Sequence, residues 1–150
     1  MPVDPENAVV KLCVDGLRAE GDGRGDDARA LFQQAWGASA DDLDACIAAH
    51  YLARHQPTPA DTLWWNQEAL RRADAVGDEH VREFYPSLLL NVADSHEKLG
   101  EPTAALEHYR AALARMDDPG APPHEAHVRA SVLRALERLG GASGASAAAG

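Results

Sequence analysis

Apolar residues recur every three to four positions along most of the chain, which is the spacing of one face of an α-helix. Val9, Leu12, Cys13 and Leu17 form the first such stripe, and Gly21 ends it. Similar stripes, separated by residues that favour turns, predict further helices. The predicted helices cover approximately residues 5–20, 26–36, 40–54, 59–76, 78–99, 102–116 and 124–139.

Polar residues and prolines indicate where these helices begin. Residues 4–5, 39–42 and 58–59 combine an Asp, Ser or Thr with a proline or an acidic residue, as helix N-termini commonly do. Pro86 lies inside the fifth predicted helix, where it removes a backbone donor and clashes with the preceding turn. We therefore expect that helix to kink or divide after residues 84–85.

The sequence contains an internal repeat. The stretches that align with one another are residues 23–36, 57–70 and 100–113. Ala35 aligns with Ala69 at an offset of 34, and Ala69 aligns with Ala112 at an offset of 43, which contains an insertion of 9. A pair of helices that repeats every 34 residues or so buries its apolar face by stacking on its neighbours.

The third stretch carries the most specific residues of the repeat. Gly100 lies at the turn between two helices, and Ala105, Tyr109 and Ala112 follow at the positions where the second helix packs. With the period of about 34 residues, this pattern resembles the tetratricopeptide repeat (TPR) family. The chain is similar, more specifically, to small stand-alone TPR proteins of high-GC bacteria.

The resemblance implies an all-α fold, a right-handed α-α superhelix of about three helix-turn-helix repeats with a C-terminal capping helix. A single repeat domain is expected over residues 1–139. Its expected parts are repeats at about 5–38, 39–77 and 78–118 and a capping helix at 123–139. Residues 140–150 consist of Gly, Ala and Ser, and they are predicted to form a disordered tail.

The second repeat departs from the pattern. Its register places His50 where a small residue is needed, as with Gly16 in the first repeat and Ala93 in the third. Either the following turn has an extra residue and Ala49 takes that position, or the imidazole is buried. Asn66 also stands where the other repeats have an aromatic ring, and a buried amide needs polar partners. We predict an inter-repeat polar cluster, which either fixes the register or contacts a ligand, formed by His50, Asn66, Asn91 and Tyr85.

TPR proteins bind partners in a concave groove lined by the first helix of each repeat, so the resemblance assigns groove residues here. The residues expected to select a partner are Tyr51, Arg54, Leu90, Asn91, Asp94 and Glu97. The resemblance also places Val10, Cys13, Leu17, Asp44, Ile47 and Ser87 along the groove.

The function that the resemblance implies is that of a non-catalytic adaptor or scaffold that binds a protein or peptide. A guanidinium can hold a peptide carboxylate through paired hydrogen bonds; alternatively, Arg54 pairs with Asp94 or Glu97 and binds nothing.

A second class of function stays open. A small-molecule or metal-responsive sensor, or an enzyme, could use the His50 and Asn66 region as a polar pocket between the second and third repeats. The sequence has no nucleophile elbow, phosphate loop or dinucleotide turn, so no catalytic residue and no cofactor are expected. His124 and His127 have spacing that suits a metal, but no third ligand follows nearby, so no metal site is expected.

Trp64 and Trp65 lie beside the apolar stripe of the fourth predicted helix. One of them is expected to pack near Phe84 and Tyr85. The other, if exposed, would mark a surface for a partner or for a homodimer.

Charge and cysteine content narrow the possible environments. The formal net charge is −10, which disfavours nucleic acid and anionic lipid as partners. Cys13 and Cys46 lie on apolar stripes and are expected to be small buried hydrophobic residues. The first residues lack the basic and apolar segments of a secretory signal, and no apolar run reaches the length of a membrane span. A cytoplasmic location is therefore predicted.

Overall fold

The described part of the chain is helical, which confirms the all-α class. A computed structural model describes the backbone of residues 4–120 and 126–149, with side chains for the same ranges except 78–79 and 141–149. The α-helices are α1 (Ala8–Gly21), α2 (Gly25–Ala38), α3 (Asp42–Leu52), α4 (Pro59–Val76), α5 (Asp78–Val81), α6 (Tyr85–Lys98), α7 (Pro102–Asp117) and α8 (Ala126–Ala149), with single 3₁₀ turns at Ala53–His55 and Arg82–Phe84. Over these described ranges, no helix has the length and apolar content needed to cross a membrane.

The helices form two compact units, Met1–Val81 and Arg82–Gly150. In the first unit, α1 packs against α2 and α3, α2 packs against α3, and α3 packs against α4. In the second unit, α7 packs against both α6 and α8. Short connections make α1–α2, α3–α4 and α6–α7 antiparallel hairpins, the three helix pairs that the repeat predicts.

The core of the first unit surrounds the ring of Phe32, which is fully buried together with Val9, Cys13 and Leu52. Gly16 of α1 faces this ring, and a Cβ atom at residue 16 would lie 2.4 Å from Phe32 Cε1. The close approach of α1 to α2 therefore requires glycine at this position. The predicted role of Gly16 as the small residue of the first repeat is confirmed.

In the second hairpin, the small buried residue is Ala49. Ala49 is fully buried, and His50 is half-buried. The chain also adds a 3₁₀ turn, Ala53–His55, before it reaches α4. Both observations favour the interpretation in which the turn contains extra length and Ala49 allows the two helices to approach.

The turns of the α1–α2 and α6–α7 hairpins are built in the same way. Gly23 and Gly100, which the repeat aligns, adopt left-handed backbone angles with φ of 77° and 75°. In each turn, the amide of the next residue donates to the carbonyl five positions earlier, at 2.8 Å in the first and 2.9 Å in the second. This is a glycine-dependent helix C-cap, because side chains disfavour that backbone region. The alignment of the first and third stretches therefore holds at the level of single hydrogen bonds.

Two predicted helix starts are wrong in detail. Helix α1 begins at Ala8, because the side chain of Asn7 accepts from two amides of the first turn at 2.8 and 3.3 Å. Asp4 stabilises the turn before it instead. At α3 the N-cap is Asp41, which accepts an amide of the first turn at 2.9 Å. Ser39 donates to a carbonyl of the last turn of α2.

The predicted effect of Pro86 is confirmed. The chain leaves α5, passes through the 3₁₀ turn Arg82–Phe84 and begins α6 at Tyr85, so Pro86 is the second residue of a new helix. At that position proline interrupts no hydrogen bond, because the first amides of a helix have no partner within it. The long fifth helix of the prediction is thus α5 followed by α6.

Helix α8 buries Val128, Val132 and Ala135, and it packs against α7 and, less extensively, α6. This is the apolar face that the sequence predicts for the capping helix, whose predicted start at His124 lies outside the described residues. The backbone of α8 continues to Ala149, whereas the sequence predicts an end near residue 139 and a disordered tail. Alanine is the strongest helix former, and it is frequent enough here to favour continuation.

Candidate functional site

Tyr51, the aromatic residue predicted for the groove, lies at the edge of the first unit's core. Its ring stacks on Phe32 with centroids 5.4 Å apart and planes at 16°. The His50 ring meets it edge-on at 5.0 Å, and the guanidinium carbon of Arg54 lies 5.9 Å from its centroid. Tyr51 is half-buried, so its ring packs against these three neighbours while part of the residue stays exposed to solvent.

Glu20 of α1 holds two residues of the turn that follows α3. One of its carboxylate oxygens is ion-paired with Arg54, and the other lies 2.7 Å from His55 Nε2. The ring of His55 also packs on Phe32 at 5.6 Å. The positive charge that the sequence offers for a peptide carboxylate is therefore compensated within the first unit.

Helix α1 exposes two apolar side chains on one face. Val14 is 48% exposed and Leu17 is 36% exposed, and they are three positions apart. Leu17 is a predicted groove residue, whereas sequence reasoning missed Val14. Two other groove assignments are wrong, because Cys13 is part of the core and Asp44 is buried. The carboxylate of Asp44 accepts hydrogen bonds from the Asn7 side chain and from the amide of residue 40, at 2.9 and 3.1 Å.

Glu97 of α6 is the repeat equivalent of Glu20, and it too is paired. Arg138 Nη2 lies 2.7 Å from both of its carboxylate oxygens, and the Tyr109 hydroxyl donates to it at 2.8 Å. Burial raises the pKa of Glu97, but the hydrogen bonds from Arg138 and Tyr109 outweigh burial, so the pKa lies below its usual value. Glu97 is therefore an ionised carboxylate whose main partner is Arg138.

The remaining residues predicted for the groove in the second unit lie on α6. Leu90, Asn91 and Asp94 are each half-buried. Asp94 forms an ion pair with Lys98 one turn later, at 2.8 Å. Asp94, like Arg54, therefore has a charged partner within its own unit. A ligand that binds Asp94 would have to compete with Lys98.

The predicted polar cluster is divided between the units, with His50 and Asn66 in the first and Asn91 and Tyr85 in the second. Asn66 is buried at 6% exposure, as expected for a residue that takes the place of Phe32 and Tyr109. Burial, assisted by the charge of Arg54, lowers the pKa of His50 to about 4. The imidazole is therefore neutral at pH 7, and its grouping with Asn91 and Tyr85 stays a prediction.

Trp64 is the exposed member of the tryptophan pair, at 53%. Trp65 is half-buried and packs edge-on against two rings, Trp36 at 5.0 Å and Trp64 at 4.8 Å. The sequence suggested Phe84 and Tyr85 as neighbours, whereas the partner found within the first unit is Trp36. The three tryptophans form a continuous aromatic row that ends in solvent at Trp64.

Two open cavities of about 480 and 390 Å³ adjoin this part of the first unit, and both are lined by Asp41 and Asp42. Arg72 lines the larger one; its guanidinium pairs with Asp42 at 2.9 Å and lies 5.4 Å from the centroid of Trp36. Arg72 also pairs with the buried Glu68 at 2.9 Å. The charges that face the larger cavity are thus largely satisfied by one another.

The two cysteines are buried, which confirms their predicted place in the core. Burial raises the pKa of Cys13 to about 11 and that of Cys46 to about 12, with nearby Asp44 and Asp74 adding to the effect. Both thiols are therefore protonated at neutral pH. The reactive species of cysteine is the thiolate, so neither thiol is in its reactive form. Among the described side chains, those of residues 4–77, 80–120 and 126–140, no three His, Cys, Asp or Glu are grouped so that they could hold a metal ion.

Comparisons with known proteins were made at three levels, and none of them identifies a relative. No protein-family model matches the chain, and neither the curated proteins nor the solved structures compared with it give a match. The function is therefore inferred from the residues and contacts of the two units themselves.

Proposed function

We propose that the chain is a non-catalytic, TPR-like adaptor that binds a protein or peptide, and that α1 and α3 form the binding surface of the first unit. The observation that carries this proposal is the pair of exposed apolar side chains on α1, Val14 and Leu17. Helix α1 packs against α3, which presents the ring of Tyr51 at the position equivalent to Leu17. Apolar groups at equivalent places on neighbouring helices are what a partner segment can cover.

The charged residues beside Tyr51 set the specificity of this proposed contact. Arg54 already has a partner, Glu20, which also holds His55. A partner carboxylate that reaches Arg54 must replace Glu20, so it gains one ion pair at the expense of another. Binding energy then comes mainly from burial of apolar surface, about 25 cal/mol per Å², and the charged pairs penalise partners that leave them unsatisfied.

A rigid surface suits this function. Tyr51 is fixed by the stack on Phe32, and Arg54 and His55 are both held by Glu20. A surface that is already ordered loses little conformational entropy when a partner binds, so modest contacts can give useful affinity.

The test is affinity capture with surface variants of the full chain. Val14→Ser together with Leu17→Ser removes the apolar pair without touching the core, and we expect this variant to lose the proteins that the wild type captures. Leu133→Ser is the matched control, because Leu133 is 45% exposed on α8 of the other unit. Circular dichroism verifies that both variants stay helical. A folded Val14/Leu17 variant that keeps every captured partner would contradict the proposal.

A further inference from the structure

Two imidazoles lie next to each other in the second unit, His96 on α6 and His108 on α7. Their ring centroids lie 5.2 Å apart with planes tilted by 33°. His96 is buried at 9% exposure, and His108 is half-buried. The α1–α2 hairpin has the same turn hydrogen bonds, but it has Ala19 and Leu31 at the equivalent positions. Packing of such a hairpin therefore does not require imidazoles.

The hydrogen bonds of each ring determine which nitrogen has a free lone pair. His108 Nδ1 lies 2.8 Å from the carbonyl oxygen of Ala104, which can only accept, so Nδ1 carries the proton. His96 Nδ1 lies 3.4 Å from a carboxylate oxygen of Glu101, which favours the same tautomer. In the neutral form of each ring, Nε2 is then the nitrogen with the free lone pair. Histidines that bind metals commonly have this arrangement, with the second nitrogen donating to a carbonyl or carboxylate.

The spacing and the local charge also suit a cation. With metal–nitrogen bonds of about 2.0–2.1 Å, two imidazoles on one tetrahedral ion have ring centres about 5 Å apart, close to the 5.2 Å between His96 and His108. His96 lies in the last turn of α6, where the helix dipole favours positive charge. Glu101 adds a carboxylate beside it.

We propose that His96 and His108 bind a divalent transition-metal ion through their Nε2 atoms, with water completing the coordination. Imidazole suits Zn²⁺, Cu²⁺ and Ni²⁺, whereas Mg²⁺ and Ca²⁺ prefer oxygen ligands. Copper(II) is expected to bind more tightly than Zn²⁺, following the usual order for nitrogen sites. The bound ion would join α6 to α7, so metal binding stabilises this hairpin.

The experiment measures binding of Zn²⁺ and Cu²⁺ by calorimetry and by the shift of the melting temperature, with the full chain in a buffer that does not chelate metals. The test variants are His96→Ala and His108→Leu, singly and together, which install the residues of the first hairpin. The control variant is His127→Gln, because His127 is exposed on α8. We expect the wild type and the control to bind both ions with a concentration-dependent rise in melting temperature, and each test variant to lose at least tenfold in affinity. Mg²⁺ should cause no rise.

Electron paramagnetic resonance of the Cu²⁺ complex provides a second readout, because coupling to imidazole nitrogen identifies the ligands. Two coupled imidazoles are expected in the wild type and one in each single variant. His108→Gln, which keeps a polar side chain, replaces His108→Leu if the latter does not fold. The proposal is overturned if the wild type binds neither ion, or if the folded double variant binds them as tightly as the wild type.

Discussion

Gly16 determines how closely α1 and α2 approach, because a Cβ atom there would overlap the ring of Phe32. We expect Gly16→Ala to destabilise the protein by about 1–3 kcal/mol, the range for overpacking a core. Gly37 of α2 is the matched control, since a Cβ atom there meets nothing within 4 Å. Gly37→Ala should stabilise the helix by about 0.5–1 kcal/mol, because alanine has less backbone freedom to lose. Urea unfolding of both variants tests the contrast, and effects of the same sign would refute it.

The neutral imidazole of His50 predicts a loss of stability in acid. The pKa of His50 in the folded protein is about 4, because burial and the charge of Arg54 lower it. A histidine in the unfolded chain has a pKa of about 6.5. Between these values the unfolded chain binds a proton that the folded chain does not. Stability therefore decreases as the pH falls from about 6.5 to about 4, by as much as about 3 kcal/mol for the full difference in pKa.

Denaturant unfolding at pH 7 and at pH 4.5 measures this effect. The variant His50→Gln should lose less stability than the wild type over the same interval, because it lacks the titrating group. His80→Gln is the control, since His80 is exposed on α5, and it should behave like the wild type. An unchanged acid dependence in the folded His50 variant would show that this imidazole is not responsible.

Individual positions could be predicted from the sequence where the repeat fixes them. Gly16 and Asn66 are examples, because their equivalents in other repeats indicate buried sites. The ion pair between Glu20 and Arg54 was missed, since the spacing of apolar residues does not indicate which charged side chains meet when the helices pack. One signal was present: the two residues have opposite charge and are 34 positions apart, which is the repeat offset itself.

At the scale of elements, the equivalent turns of the α1–α2 and α6–α7 hairpins are expected to respond alike to mutation. Gly23→Ala and Gly100→Ala each place a side chain at positive φ, which costs about 1–2 kcal/mol. Each variant should lower the stability of its own unit by a similar amount in thermal unfolding. Gly21→Ala is the control, because Gly21 lacks a positive φ and has open space around it. A marked loss in only one of the two variants would indicate that the turns are not equivalent.

Helix order was predictable, whereas some boundaries were not. Apolar spacing and Pro86 predict the hairpin helices and the division between α5 and α6. The start of α1 was predicted too early, because Asp4 and Asn7 are both good capping residues and only the packed structure selects Asn7. The end of α8 could not be predicted from the sequence either. Residues 140–149 mix alanines, which favour a helix, with glycines, which disfavour it.

At the scale of the whole molecule, the negative charge is concentrated in one unit. Residues 1–81 contain 15 of the 24 acidic and 7 of the 14 basic side chains, which gives −8 of the formal net charge of −10. The exposed Val14 and Leu17 belong to this unit. Its field attracts cationic segments and repels anionic ones, so the proposed partner is expected to carry basic residues beside its apolar ones. The division into units after Val81 was not predicted, because a repeat pattern looks the same on both sides of such a boundary.

The aromatic row of Trp36, Trp65 and Trp64 has a spectroscopic consequence. These are the three tryptophans of the chain, and all of them belong to the unit Met1–Val81. Emission excited near the red edge of their absorption therefore reports on that unit, while far-ultraviolet circular dichroism records the helices of both. Two coincident melting curves would mean that the units unfold together, and two separated curves would give the stability of each without cutting the chain.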